Sequence, residues 1–167
     1  MPANAPGDIV AVLDACVLLP ASLRDTLLRL AETPRLYIPK WSDQIWMEVT
    51  RNLESRRKLS REKIAHLTEQ VQFHFPEAQV EGYEKFTALM TNDPKDRHVA
   101  AAAARSKAQV IVTSNLKDFP PSSLAEWKIE ARHPDEFLMD LYARVVSDAF
   151  IAGRSRRRER LGNVKWV

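Results

Sequence analysis

The chain has 167 residues, of which 45% are hydrophobic, enough to bury the core of one ordinary domain. No apolar run approaches the roughly 20 residues that span a bilayer, and the first residues lack the basic and apolar regions of a signal peptide. We therefore expect a cytoplasmic protein without a membrane segment. Cys16 is the one cysteine, which excludes an internal disulfide and a thiolate zinc site, and we expect it to be a small buried side chain.

The net charge of +3 is unevenly distributed. Residues 153–167 carry five Arg and one Lys against one Glu, and residues 51–63 carry six basic and two acidic side chains. Basic patches of this kind suit a phosphate backbone, although a solvated helix face and a frayed tail would have the same composition. The candidate phosphate contacts are Arg51, Arg56, Arg57, Lys58, Arg154, Arg156, Arg157 and Arg158.

Strand-like and helix-like segments alternate through the first half of the chain. Residues 8–16 contain a short apolar strand ending in an acid, and residues 23–33 have the leucine spacing of a helix. Residues 35–39 predict a second strand. Residues 41–53 predict a helix with an apolar residue at every fourth position, and a basic helix with Ile64, Leu67 and Val71 on one side follows.

The second half continues the alternation. Residues 78–83 indicate another strand, residues 109–115 a buried strand, and residues 128–146 a last strand and helix. Strands alternating with helices favour a mainly parallel sheet covered on both faces. We predict one α/β domain over residues 1–152 and a basic, loosely attached tail over residues 153–167.

The segment "NDPKDRHVAAAAA", residues 92–104, permits two interpretations. It is typical of a helix start, with Asp93 as the N-cap, Pro94 at the first position and Asp96 in the first turn. An acid there also meets the positive end of the helix dipole, so chemistry is not required locally. His98 would not face Asp96 on a helix, and we expect a structural or peripheral role for it.

Acidic and polar side chains nevertheless follow several predicted strands. Asp14 comes directly after the first strand, Asn115 and Asp118 follow the strand at residues 109–115, and Asp93 and Asp96 begin a helix after a strand and loop. In a parallel sheet, functional groups gather outside the carboxyl ends of the strands, near the point where strand order reverses. We therefore expect these side chains to lie close together.

Glu48 would join them only if its helix packs with this turn over the same edge. A cluster of carboxylates is costly unless a hard cation lies among them, and oxygen ligands favour Mg²⁺ or Mn²⁺. Such an ion can activate water and stabilise an attacked phosphodiester. Acids combined with basic surface therefore indicate a nuclease.

These residues resemble the PIN domain family, which includes the VapC-type toxins of toxin–antitoxin pairs. The resemblance covers roughly residues 8 to 140 and rests on "VLDACVLLP", "WMEVTRNL", "VEGYEKFTALMTNDPKDRHVAAAA" and "VIVTSNLKDFP" in this order. It implies an α/β/α sandwich with a central parallel sheet, bound Mg²⁺ or Mn²⁺, and cleavage of RNA. It also implies a homodimer and a cognate antitoxin whose Arg enters the acidic site.

The resemblance also implies roles for individual residues. Asp14, Glu48, Asp96 and Asp118 match the family's acidic positions, where they would hold one or two divalent ions. Asn115 matches a position that is often Asp, so it would contact the metal or orient a water. Thr113 and Ser114 would support the ligands from behind, whereas Asp93 is favoured as the helix cap.

Other functions fit less well. A phosphotransfer protein would use an aspartate after the first strand, but "DACVLL" lacks a second Asp two residues later, and no acidic pair precedes Asp14. A PIN fold kept as a binding module without hydrolysis stays open, although all four acids are present. An RNA-processing or turnover nuclease outside a toxin–antitoxin pair is the further alternative.

Overall fold

A sheet of four parallel strands forms the centre of the part of the chain that the structure describes. The computed structural model describes residues 8–32 and 35–162, with side chains as far as residue 152. The strands are β1 (Val10–Leu13), β2 (Ile38–Lys40), β3 (Val110–Val112) and β4 (Glu130–Arg132). Their order across the sheet is β2-β1-β3-β4. All residues of β1 and β3 are buried, as expected for strands covered on both faces.

The register places the carboxyl ends of the two central strands side by side. Val10 of β1 lies opposite Ile38 of β2, and Leu13 of β1 lies opposite Val112 of β3. The chain moves from β1 to β2 in one direction and later returns to β3 on the other side of β1. The strand order therefore reverses between β1 and β3, and the crevice of the fold lies outside their carboxyl ends.

Eight α-helices are present among the described residues. They are α1 (Ala15–Leu18), α2 (Ala21–Glu32), α3 (Asp43–Ser55), α4 (Arg61–His74), α5 (Glu84–Thr87), α6 (Arg97–Ser106), α7 (Pro121–Leu124) and α8 (Pro134–Gly162). Short 3₁₀ helices cover residues 94–96, 116–118 and 125–127. Helices around a parallel sheet confirm the predicted α/β/α class.

The alanine run of the sequence allows α6 to approach the sheet closely. Residues 99–103 are fully buried, and the helix contacts β1, β2 and β3. A helix lined with small side chains can pack its backbone against strands without leaving a void. This packing fixes the N-terminus of α6 above the carboxyl ends of β1 and β3.

One predicted strand is wrong. We expected a strand over residues 78–83, but the described chain forms only a single parallel bridge there, between Trp41 and Gln79. Ala78, Val80 and Tyr83 are buried, so the apolar pattern was real. The pattern reflects packing of an irregular segment against the domain rather than addition of a strand to the sheet.

The chain divides into two compact units, residues 1–134 and residues 135–167. The described part of the second unit belongs to α8, whose backbone is helical as far as Gly162. The predicted boundary at residue 153 lies within this helix and stays a prediction, because the side chains from residue 153 onward lie outside the described residues. Among the helices that the structure describes, none is both long and apolar enough to cross a membrane.

Candidate active site

Asp14 directly follows β1 and therefore lies at the carboxyl end of that strand. It is 4% exposed and forms the N-cap of α1, where its Oδ1 accepts a hydrogen bond of 2.7 Å from the Ala15 amide. Its Oδ2 accepts a hydrogen bond of 2.7 Å from the Thr113 hydroxyl at the end of β3. One oxygen of this carboxylate is therefore held by the first residue of α1 and the other by the residue that follows β3.

Cys16 and Thr113 form a small polar network behind Asp14. The Cys16 thiol donates to Asp14 Oδ2 at 3.2 Å and accepts from the Ser114 amide at 3.3 Å, while the Asn115 amide donates to Thr113 Oγ1 at 3.0 Å. Burial, and then the charge of Asp14, raise the pKa of Cys16 to about 11 and keep the thiol protonated as a donor. Cys16 is half-buried, so the simple buried role predicted for it was incomplete.

The predicted supporting residues differ in how they enter this network. Thr113 is fully buried and contacts Asp14 through its side chain, whereas its role behind metal ligands stays a prediction. Ser114 takes part through its backbone amide, and its side chain is exposed. Asn115 is exposed as well and also takes part through its backbone amide.

The two aspartates at the start of α6 have different local roles. Asp93 is the capping residue of the 3₁₀ turn, since its Oδ1 accepts from the Lys95 amide at 3.1 Å. Asp96 is only 9% exposed and directs its carboxylate toward other side chains. The cap interpretation of this segment is therefore correct for Asp93, and it does not account for Asp96.

Asp118 reaches the same place from the loop after β3. It ends the 3₁₀ helix at residues 116–118 and is 7% exposed. Its backbone carbonyl accepts from the Asp93 amide at 3.3 Å and from Asn92 Nδ2 at 3.4 Å. These two hydrogen bonds tie the loop after β3 to the segment that precedes α6.

Lys95 is a basic partner of these aspartates that was not predicted from the sequence. Its ammonium lies 2.7 Å from Asp118 Oδ2, 2.9 Å from Asp96 Oδ2 and 4.0 Å from Asp93 Oδ1. Lys95 is two residues after the capping residue Asp93, so the 3₁₀ turn brings its side chain back over the acids. From sequence alone, a lysine at the start of a helix is expected to extend into solvent. The spacing of the residues gave no signal for its contact with the acids.

The charges of three aspartates act on one another in this crevice. Burial, first, raises the pKa of Asp96; the charges of Asp14 and Asp118 raise it further, and Lys95 opposes them. The hydrogen bond from Lys95 lowers the pKa of Asp118. Although both carboxylates contact the same ammonium, the pKa of Asp96 is raised and that of Asp118 is lowered. The reason is that the cost of burying the charge of Asp96 outweighs its stabilisation by Lys95.

Glu48 projects from the middle of α3, and its nearest described partner is His98 of α6. His98 Nε2 lies 3.0 Å from Glu48 Oε1, and the histidine is 4% exposed. The approach is close enough for an ion pair but too bent for a hydrogen bond, and within the described residues neither ring nitrogen has a hydrogen-bond partner. Of the structural or peripheral role expected for His98, the structure gives the structural one, between α3 and α6. Its contact with Glu48 was not predicted, because contact between two helices cannot be read from spacing along one of them.

These side chains fit a divalent metal ion by their chemistry. Asp14, Asp96 and Asp118 present carboxylate oxygens, the kind of ligand that hard cations prefer, and the Lys95 ammonium lies between two of them. As they stand, no group of three or more His, Cys, Asp or Glu side chains in the described part of the chain is spaced to hold an ion. Lys95 would have to leave the two carboxylates for them to close on a metal.

The basic residues predicted to contact phosphate fall in two regions. Arg51, Arg56, Arg57 and Lys58 are exposed at the end of α3 and in the turn after it. Arg51 also lines an open groove between α3 and α4, opposite Arg61. The remaining four, Arg154, Arg156, Arg157 and Arg158, have side chains outside the described residues.

Comparison with known proteins gives two findings. The family model described as "PIN domain" matches residues 10–117, more than half of the chain. A segment of 59 residues is 56% identical to a Mycobacterium tuberculosis protein named "Putative ribonuclease VapC50". That segment covers 35% of this chain and 35% of the mycobacterial protein, so the match spans about a third of each.

Proposed function

Because this chain belongs to the PIN domain family, we propose that it is a metal-dependent endoribonuclease and the toxin of a toxin–antitoxin pair. The observation that carries the proposal is the convergence of Asp14, Asp96 and Asp118 in the crevice outside β1 and β3. The similarity to a relative named as a VapC ribonuclease supports the same activity over the matched third of the chain.

Asp14, Glu48, Asp96 and Asp118 would hold Mg²⁺ or Mn²⁺ in this proposal. A bound ion of this kind supplies Lewis acidity, which lowers the pKa of water and stabilises charge that develops on an attacked phosphate. The three aspartates are buried residues. Their electrostatic interactions are therefore stronger than those of surface carboxylates.

Other residues of the chain position these ligands. The hydroxyl of Thr113 and the thiol of Cys16 both donate to Asp14 Oδ2, which fixes the rotation of that carboxylate. His98 Nε2 lies 3.0 Å from Oε1 of Glu48 and would hold that side chain in place. Partners behind the ligands commonly change metal affinity by 10-fold to 100-fold when they are removed.

Basic residues near α3 would bind the RNA backbone. Arg51 is three residues from Glu48 on the same helix, about 4.5 Å along the axis, and its side chain is exposed. Arg56, at the end of the helix, is about 12 Å from Glu48. A strand of RNA lying along α3 would therefore pass from the acidic crevice onto this basic surface. The Arg-rich segment after residue 152 would add further phosphate contacts.

We also propose that the protein is a homodimer that acts in the cytoplasm and is silenced by a cognate antitoxin. An arginine of the antitoxin would bind the crevice as Lys95 does, by pairing with Asp96 and Asp118. An adjacent gene encoding a small DNA-binding protein would support the toxin role. Its absence would favour RNA processing or turnover by the same nuclease site.

The activity is tested by cleavage of a labelled RNA with Mn²⁺ or Mg²⁺ and with a chelator. We expect cleavage that requires the ion and that falls by more than about 100-fold in Asp14→Asn and Glu48→Gln. Glu54→Gln is the matched control, because Glu54 lies on α3 but pairs with Arg61 at the surface, and it should cleave normally. Cleavage in excess chelator would exclude the proposed chemistry. Binding of RNA without cleavage under any condition would favour the non-catalytic PIN module.

A further inference from the structure

Lys95 reaches from solvent into the pair of acids that a metal would need. Its side chain is 62% exposed, whereas those of its partners Asp96 and Asp118 are 13% and 9% exposed. Both contacts are to Oδ2 atoms, at 2.9 and 2.7 Å. The end of an exposed lysine thus bridges two mostly buried carboxylates.

The bridge and a metal ion cannot use these two oxygens at once. Carboxylate oxygens bind Mg²⁺ at about 2.0 to 2.1 Å, with the ion between the ligands. An ammonium less than 3 Å from both Oδ2 atoms occupies that space and supplies the positive charge that would otherwise attract the ion. Binding of the metal therefore requires Lys95 to swing away, which its long flexible stem permits.

We propose that Lys95 is an internal counter-ion that competes with the divalent metal for Asp96 and Asp118. The proposal rests on the metal-dependent function proposed above and goes beyond it. It assigns Lys95 two effects of opposite sign: it stabilises the metal-free protein by neutralising the converging aspartates, and it weakens metal binding. The site thereby stays folded without metal and is loaded only when the ion displaces the lysine.

Lys117 provides a matched control. It is an exposed lysine one residue before Asp118, and its charge acts on that carboxylate. It differs from Lys95 in acting by charge alone, whereas Lys95 forms the bridge. If general positive charge near the crevice were enough, removing either lysine would have the same effect.

The experiment compares the unsubstituted full-length protein with the variants Lys95→Met and Lys117→Met, after a chelator has removed metal from all three. Methionine keeps the length of the side chain and removes its charge without adding an oxygen ligand. Thermal unfolding is recorded without metal, and Mn²⁺ binding is measured by titration calorimetry. Without metal, we expect Lys95→Met to melt at a lower temperature than the unsubstituted protein. We also expect it to bind Mn²⁺ at least about fivefold more tightly than the unsubstituted protein does. Lys117→Met should change the affinity by less than about twofold.

The outcomes separate this proposal from the one on function. If the full chain binds Mn²⁺ and cleaves RNA but Lys95→Met binds the ion no more tightly than Lys117→Met, competition by Lys95 is refuted and the nuclease stands. If Lys95→Met binds Mn²⁺ where the full chain does not, competition is supported. If neither the full chain nor either variant binds Mn²⁺, both proposals are overturned.

Discussion

Replacement of Thr113 by valine would remove the hydroxyl that links β3 to the carboxylate after β1. Thr113 is fully buried, donates to Asp14 Oδ2 at 2.7 Å and accepts from the Asn115 amide at 3.0 Å. Valine has nearly the same shape and the same β-branched preference for a strand end. The substitution therefore tests these two hydrogen bonds, and the weaker contact of 3.5 Å between the hydroxyl and Cys16 Sγ, with little change in packing.

The expected cost follows from the kinds of group involved. A hydrogen bond to a charged group contributes about 1.5 to 3 kcal/mol, and a neutral one contributes about 0.5 to 1.5 kcal/mol. The Asn115 amide lies near the surface and can bond to water instead, so its loss belongs at the lower end of that range. We expect Thr113→Val to lower the free energy of unfolding by about 2 to 4 kcal/mol.

Urea unfolding of the metal-free protein measures this difference. Thr113→Ser is the control, because it keeps the hydroxyl and should lose only about 1 kcal/mol for the missing methyl group. Thr113→Val should also bind Mn²⁺ about 10-fold to 100-fold more weakly, because Asp14 would no longer be held in place. Equal stabilities for the valine and serine variants would show that the Thr113 hydroxyl does not support Asp14.

Three further predictions concern acid stability, the basic tail and assembly. The pKa of Asp118 is lowered on folding, so its ionised form stabilises the protein above the unfolded pKa, and this contribution is lost as the pH falls through the lower folded pKa. With a chelator present, Asp118→Asn should thus be less stable than the unsubstituted protein at neutral pH, and this difference in stability should vanish in acid. The pKa of Asp96 is raised, so its protonated form is favoured on folding; Asp96→Asn should be at least as stable at neutral pH, and equal stability losses in the two variants would contradict these shifts. Truncation after Gly153 should weaken RNA binding and flatten its salt dependence, and an unchanged salt slope would assign the tail another role. Light scattering at micromolar concentration should give a homodimer rather than a monomer.

Much of the fold could be predicted because its signals are local. The apolar runs at β1 and β3 and the four-residue spacing along α3 reflect burial of the same residues that the structure buries. The segment at residues 78–83 misled for the same reason, since burial of Ala78 and Val80 gives the pattern of a strand without strand pairing. The periodicity of apolar residues in a segment indicates which side chains are buried, whereas pairing between strands depends on distant parts of the chain.

Only those parts of the site that depend on the strand topology could be predicted from the sequence. Parallel strands bring Asp14 and Asp118 to one edge whatever the details, so their convergence followed from the predicted sheet. The contact of Glu48 with His98 depends on how α3 packs against α6, and the bridge from Lys95 depends on the path of one 3₁₀ turn. Neither arrangement has a signature in residue spacing.

The Mn²⁺-induced change in melting temperature of Asp96→Asn, recorded together with its cleavage of RNA, tests the metal-dependent site most directly. At an ion concentration 100 times the dissociation constant, binding stabilises a protein by about 2.7 kcal/mol, which is roughly 5 to 11 °C for a domain of this size. We expect the full chain to show such a rise and to cleave RNA, and Asp96→Asn to show a much smaller rise with cleavage abolished. An undiminished rise in melting temperature, with full cleavage by Asp96→Asn, would contradict the assignment of this carboxylate to a metal site.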